Sequence, residues 1–151
     1  MIATSDNWRL PDPVTHAEFY ADVPAKRLGA FVIDSILIIL ITLILIPLTA
    51  FTALFFIGFL TFLVGIIYRT LTLATRSATP GMRLLSIEFR NHHGERLGLG
   101  TAFIHTMMFS ISMSMVLPQI ISIVLMLTTG RAQGLTDFFL GTVVINKTAA
   151  T

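Results

Sequence analysis

The chain has 151 residues, 54% hydrophobic and 12% charged, where soluble domains carry about 25% charged residues. That composition allows one domain and no separate soluble module, and a net charge of +2 is too small for a nucleic-acid surface. The absence of cysteine excludes disulfides, thiol catalysis and cysteine-bound metal. No paired carboxylates, nucleophile–base set, phosphate-cradling glycine loop or zinc spacing is present, so neither enzyme activity nor a cofactor is expected.

Residues 1–26 form a polar segment, acidic on balance, with Asp6, Asp12, Glu18 and Asp22 against Arg9 and Lys26. Pro11, Pro13 and Pro24 argue against one long helix there, and Trp8, Phe19 and Tyr20 suit a segment lying along lipid headgroups. From Leu28 to Tyr68 the chain then runs forty-one residues with a single full charge, Asp34. A membrane-crossing helix needs roughly 20 mostly apolar residues, because the hydrocarbon layer is about 30 Å thick. Helices near 28–46 and 51–73 satisfy this, with Pro47 marking the turn between them. The first apolar run is too long for a cleavable signal and is expected to act as an uncleaved anchor.

Arg69–Gly98 holds five arginines (Arg69, Arg76, Arg83, Arg90, Arg96) against Glu88 and Glu95. Their expected roles are topology and contact with anionic lipid headgroups, with a protein-docking surface as the competitor. Within this loop, residues 83–90 alternate: Leu85, Ile87 and Phe89 on one side, Leu84, Ser86, Glu88 and Arg90 on the other. Period two predicts a strand, and β-branched Thr142–Asn146 predicts a second. They can form a small β-ribbon if both lie on one side of the membrane.

Thr101–Thr129 is the third apolar region. It reads either as one long span or as two shorter helices, near 101–116 and 119–129, broken near Pro118. Basic residues near span ends stay on the cytoplasmic side. A return hairpin puts all ten of them there, whereas a single span strands Arg131 and Lys147 outside. The hairpin is therefore favoured, although its second limb reaches only about 17 Å as a helix. The expected fold is an all-α membrane helical bundle of three to four transmembrane helices, four passes favoured, with the ribbon and both termini cytoplasmic. It comprises one domain over 27–147, preceded by the 1–26 segment and followed by a 148–151 tail.

Asp34 lies seven residues after Arg27, about two helical turns and about 10 Å along the axis. Helical side chains lean toward the N-terminus, so a direct pair is strained and each residue is expected to meet another segment. For Arg27 that partner is Asp137, brought back by the hairpin. For Asp34 the candidates are Arg69, Arg76, Arg83 and His105.

Three segments carry a family resemblance: Lys26-Arg27-Leu28-Gly29-Ala30-Phe31-Val32-Ile33-Asp34, Ala78-Thr79-Pro80-Gly81-Met82-Arg83-Leu84-Leu85, and Gly134-Leu135-Thr136-Asp137-Phe138-Phe139-Leu140-Gly141-Thr142-Val143-Val144. In this order the chain resembles the RDD family of bacterial membrane proteins, named for one arginine and two aspartates. The resemblance implies that these are Arg27, Asp34 and Asp137, supported by the loop residues Thr79, Pro80, Gly81 and Arg83. Met82 stands where the family often has lysine, and Thr136 where it often has histidine. Sodium/proton antiport, associated with some members, arrives by resemblance alone.

Two readings of the arginine and two aspartates compete: a polar clasp fixing helix register, or a proton/cation site at Asp34. Ala102, Thr106, Ser110 and Ser114 recur every four residues and predict a packing stripe; Gly58 and Gly65 share a face of the second span. His105 with Met108 and Met115, and the His92-His93 turn, are read as filler and exposed turn before metal site. The leading expectation is a non-enzymatic accessory or assembly component of the bacterial inner membrane, acting with other membrane subunits or by self-association. The alternative is a cation/proton antiporter working as an oligomer.

Overall fold

The computed structural model describes residues 8–147; residues 1–7 of the expected N-terminal segment and the expected 148–151 tail lie outside the described residues. Pro24, in the first turn of a helix, opens α1 (Val23–Leu48), where a missing N–H costs nothing. α1 runs through Pro47 and ends when Thr49 N–H bonds back to the Leu45 and Ile46 carbonyls. Ala50 and Phe51 take positive φ (52° and 63°), and a 3-10 turn over Thr52–Phe56 leads into α2 (Ile57–Arg76). Pro47 thus sits inside the last turn of α1, and the reversal follows it.

α2 stops at Ser77 in the left-handed region (φ 54°). Thr79 then caps a one-turn helix, α3 (Pro80–Leu84), its hydroxyl accepting the Met82 N–H. The strand expected over 83–90 therefore starts later, as β1 (Ile87–Asn91). The Thr-Pro start signal wins residues 80–84 for helix, and positive φ at Ser86 (55°) resets the chain. β1 pairs antiparallel with β2 (Thr142–Asn146), placing Ile87 opposite Asn146, Phe89 opposite Val144 and Asn91 opposite Thr142.

The third apolar region is two helices, α4 (Leu99–Ser114) and α5 (Val116–Thr128), with axes turned by 115°. The break lies at extended Met115, three residues before the expected Pro118. Proline removes one N–H, and the first turn of a helix has no use for it, so Pro118 is absorbed into the start of α5. The short helix α6 (Leu135–Leu140) follows, with Gly141 (φ 65°) turning the chain into β2.

Every residue of β2 is buried. One side faces Val23, Leu73, Phe89 and Ala102, where the start of α1, the end of α2 and the start of α4 converge. On the other side, Val143 and Ile145 pack with Trp8, Leu10, Phe19 and Tyr20. Those aromatic residues cover this side of the ribbon. Lys26 Nζ reaches Asn146 Oδ1 at 2.7 Å, and the Asn146 amide donates to the Glu18 and Ala21 carbonyls. The segments that begin and end the described chain therefore meet at one end of the helices.

Away from that end the helices are bare. Ile36, Leu43, Ile44, Phe55, Phe59 and Leu117 are all more than half exposed. Two helical segments, Ala17–Leu48 and Thr52–Arg76, are long and apolar enough to cross a membrane, and a third unit exists if α4 and α5 count as one bent span.

Candidate functional site

The structure brings Arg27 and Asp137 together and keeps Asp34 apart. Arg27, in the first turns of α1, donates to Asp137 Oδ2 at 2.5 Å and to the Ala132 carbonyl at 3.3 Å. Its guanidinium also lies 5.5 Å from the centre of the Phe89 ring. Asp137 is fully buried in the first turn of α6, where its Oδ2 also accepts the Gly134 N–H at 2.9 Å. Its other oxygen is 2.9 Å from both His105 Nε2 on α4 and the Thr142 hydroxyl on β2. One carboxylate thus fastens α1, α4, α6 and β2. Burial alone would push this carboxyl up, but Arg27 and His105 outweigh it and hold the group below the ordinary carboxylate range.

Asp34 lies about 10 Å further along α1 and is only 1% exposed. None of its expected partners Arg76, Arg83 or His105 binds it. Arg76 and Arg83 are exposed, and His105 belongs to Asp137. Instead Asp34 accepts from three neutral donors: Tyr68 Oη at 2.8 Å, the Gly81 N–H at 2.8 Å, and the Thr79 hydroxyl. This explains the Thr79-Pro80-Gly81 turn residue by residue. Thr79 caps α3 with its oxygen and gives its proton to Asp34. Pro80 fits the first helical position. At Gly81, a Cβ would stand 2.9 Å from Asp34 Oδ1 and overlap the Ala30 carbonyl, so only glycine lets that N–H approach.

Arg69, counted among the loop arginines but within the helix expected near 51–73, sits inside α2, its guanidinium 5.6 Å from the Phe31 ring centre and 4.9 Å from that of Phe109. It forms no ion pair with Asp34. A small cavity of about 70 Å³ lies beside Asp34, lined by Arg27, Asp34, Arg69, His105 and Thr106 among others. The Thr106 hydroxyl, buried there, has no hydrogen-bond partner among the described residues. Along the expected packing stripe, Ala102 and Thr106 are buried, whereas Ser110 is half-buried and Ser114 exposed.

Sequence reasoning missed Tyr68 and the hydroxyl of Thr142. It also missed Ser122, whose side chain accepts the Leu135 N–H at 3.0 Å, and Gln133, which donates to the Thr142 carbonyl at 2.9 Å. The Thr-Pro cap was a readable signal for Thr79; the others carry none at the level of spacing. Met82 and Thr136, the two departures from the family pattern, are both buried. Compared with known proteins, residues 22–141 match the model of a family described as the RDD family. No curated protein and no solved structure matches significantly.

Proposed function

The chain belongs to the RDD family, and from that premise we propose a non-enzymatic accessory or assembly component of a larger complex in the bacterial inner membrane. Family membership together with the long apolar helices makes it a membrane protein. The observation that carries the proposal is the hydrogen bonding of the two buried carboxylates. Asp137 accepts from four donors and Asp34 from three, which suits fasteners better than exchangeable sites. Buried carboxylates in lipid persist with partners, and here the partners come from α1, α2, α3, α4 and β2 and from the turns before α3 and α6. The exposed apolar flanks of α1, α2, α4 and α5 are then available to lipid, to other subunits or to a second copy.

The orientation we propose puts the ribbon end in the cytoplasm. The helix ends there carry Lys26, Arg27, Arg76 and Arg131, whereas the 49–56 turn and the bend at Met115 carry no charge. α1 and α2 cross fully. α4 and α5, about 24 Å and about 20 Å long, make a V that enters and leaves from the same side, which keeps the number of crossings even.

Asp34→Asn tests the assignment, with membrane abundance and native complex size measured beside sodium-dependent proton flux in liposomes. The clasp reading expects abundance and complex size to fall. Unchanged abundance and complex size with abolished flux would reverse it. One observation favours a second reading, cation/proton antiport by an oligomer: the small cavity beside Asp34, with its unpartnered Thr106 hydroxyl. Folded protein in liposomes under an imposed sodium gradient, with an internal pH dye, decides; absence of sodium-dependent proton movement removes that reading.

A further inference from the structure

Arg69 is a half-buried cation of the helix bundle, on the wall of two adjoining openings. It lies seven residues, or about 10 Å, before the inner end of α2. Among the described residues its side chain makes no hydrogen bond and no ion pair, its neighbours being the two phenyl rings. Asp34, which shares the inner cavity with it, has both oxygens committed to Tyr68, Thr79 and Gly81. A guanidinium at this depth without an acceptor is costly.

Phe31 and Phe109 meet edge to face at 6.3 Å beside Arg69. Together the three side chains form a partition. On one side lies the small polar cavity; on the other, an open groove of about 550 Å³ runs between α1, α2 and α4 toward Ile57. That volume falls within the range of small-ligand sites, about 300–1,000 Å³. Four hydroxyls lie on its wall, yet none asks for a ligand. Ser35, Thr61, Ser110 and Ser114 each donate to the carbonyl four residues back in their own helix, at 2.7–2.8 Å. The wall is therefore effectively apolar, with a single hydrogen-bonding demand at its inner end.

We propose that this groove binds one long-chain carboxylate amphiphile, its carboxylate on Arg69 and its chain extending toward Ile57. A guanidinium matches a carboxylate with two parallel hydrogen bonds. Side chains on α2 lean toward its N-terminus, the outer end, so Arg69 points away from the inner headgroups. A phospholipid phosphate would have to sink to reach it, whereas a carboxylate is small enough to be drawn in with its chain. Gly58, about 16 Å from Arg69 along α2, marks the far end; a Cβ built there meets nothing within 4 Å, so a larger side chain fills the groove without straining the helix.

Native mass spectrometry of the full chain in a neutral detergent, with added oleate, tests the site. The expected result is one oleate per chain, with oleyl alcohol not retained. Arg69→Gln weakens oleate by about tenfold or more, the scale of a lost charge-assisted bond. Gly58→Leu leaves Arg69 intact and keeps laurate while losing oleate, a change in chain-length preference that misfolding does not produce. The proposal is overturned if oleyl alcohol binds as oleate does, if neither variant alters oleate binding, or if phosphatidylglycerol displaces oleate. It is equally overturned if a second copy of the chain covers the groove and excludes oleate.

Discussion

Asp34 and Asp137 are almost equally buried, 1% and 0% exposed, yet they are held by opposite kinds of donor. Asp137, where the C-terminal segment docks, is held by a guanidinium, an imidazole, a hydroxyl and an amide N–H. Asp34, deeper along α1, is held by two hydroxyls and an amide N–H. The difference concerns what is left behind when each acid is lost. Without Asp137, the Arg27 guanidinium is stranded among buried groups; without Asp34, no ion pair is broken. Charge pairing joins segments distant in sequence at the ribbon end, and neutral donors satisfy the carboxylate further along α1.

The sharpest way to break this contrast is Asp137→Ala. Breaking a buried ion pair costs about 3–5 kcal/mol, so unfolding of the purified protein in mild detergent should shift by that much. A smaller effect than that of Asp34→Ala would erase the distinction. The same pair predicts an acid limb. Because the Asp137 carboxyl is held low in the folded chain, its stabilisation is complete above the unfolded value of about 3.9. It is lost as pH falls below that, since the unfolded chain then binds the additional proton. As pH is lowered from about 6 to about 3, through that unfolded value of about 3.9, the thermal unfolding temperature in detergent should fall more steeply for the wild type than for Asp137→Asn. The smallest effect is expected at the other acid: Tyr68→Phe removes one of three neutral donors, costing about 1 kcal/mol, measured by the same unfolding assay.

How far the sequence disclosed this arrangement depends on the range of each signal. The apolar lengths of α1 and α2 are local, and they read directly as helices. The β-ribbon was legible from period two and β-branching, but its first strand was placed four residues early because Arg83-Leu84 continues the alternation by coincidence. The Thr79-Pro80 cap, itself legible, outranks that alternation. Pro118 drew the expected break to itself, although the turn is made by Met115 and the proline is harmless in the helix that follows. Arg27 could be matched with Asp137 through charge bias and the return of the chain. The partners of Asp34 could not, because Tyr68 and Thr79 lie 34 and 45 residues away and hydroxyls on apolar helices usually satisfy themselves, as Ser35, Thr61 and Ser110 do here. Arg69 was counted with the loop arginines although the helix expected near 51–73 already contained it, and α2 carries it seven residues before its end at Arg76.

A double-mutant cycle on unfolding free energy in detergent addresses the two-node arrangement directly, pairing Arg27→Leu first with Asp137→Leu and then with Asp34→Asn. The arrangement predicts a coupling of about 2–3 kcal/mol for Arg27 with Asp137, and additivity within about 0.5 kcal/mol for Arg27 with Asp34. Coupling of Arg27 to Asp34 as strong as to Asp137 would mean that the two acids share one cluster, contradicting the separation described above.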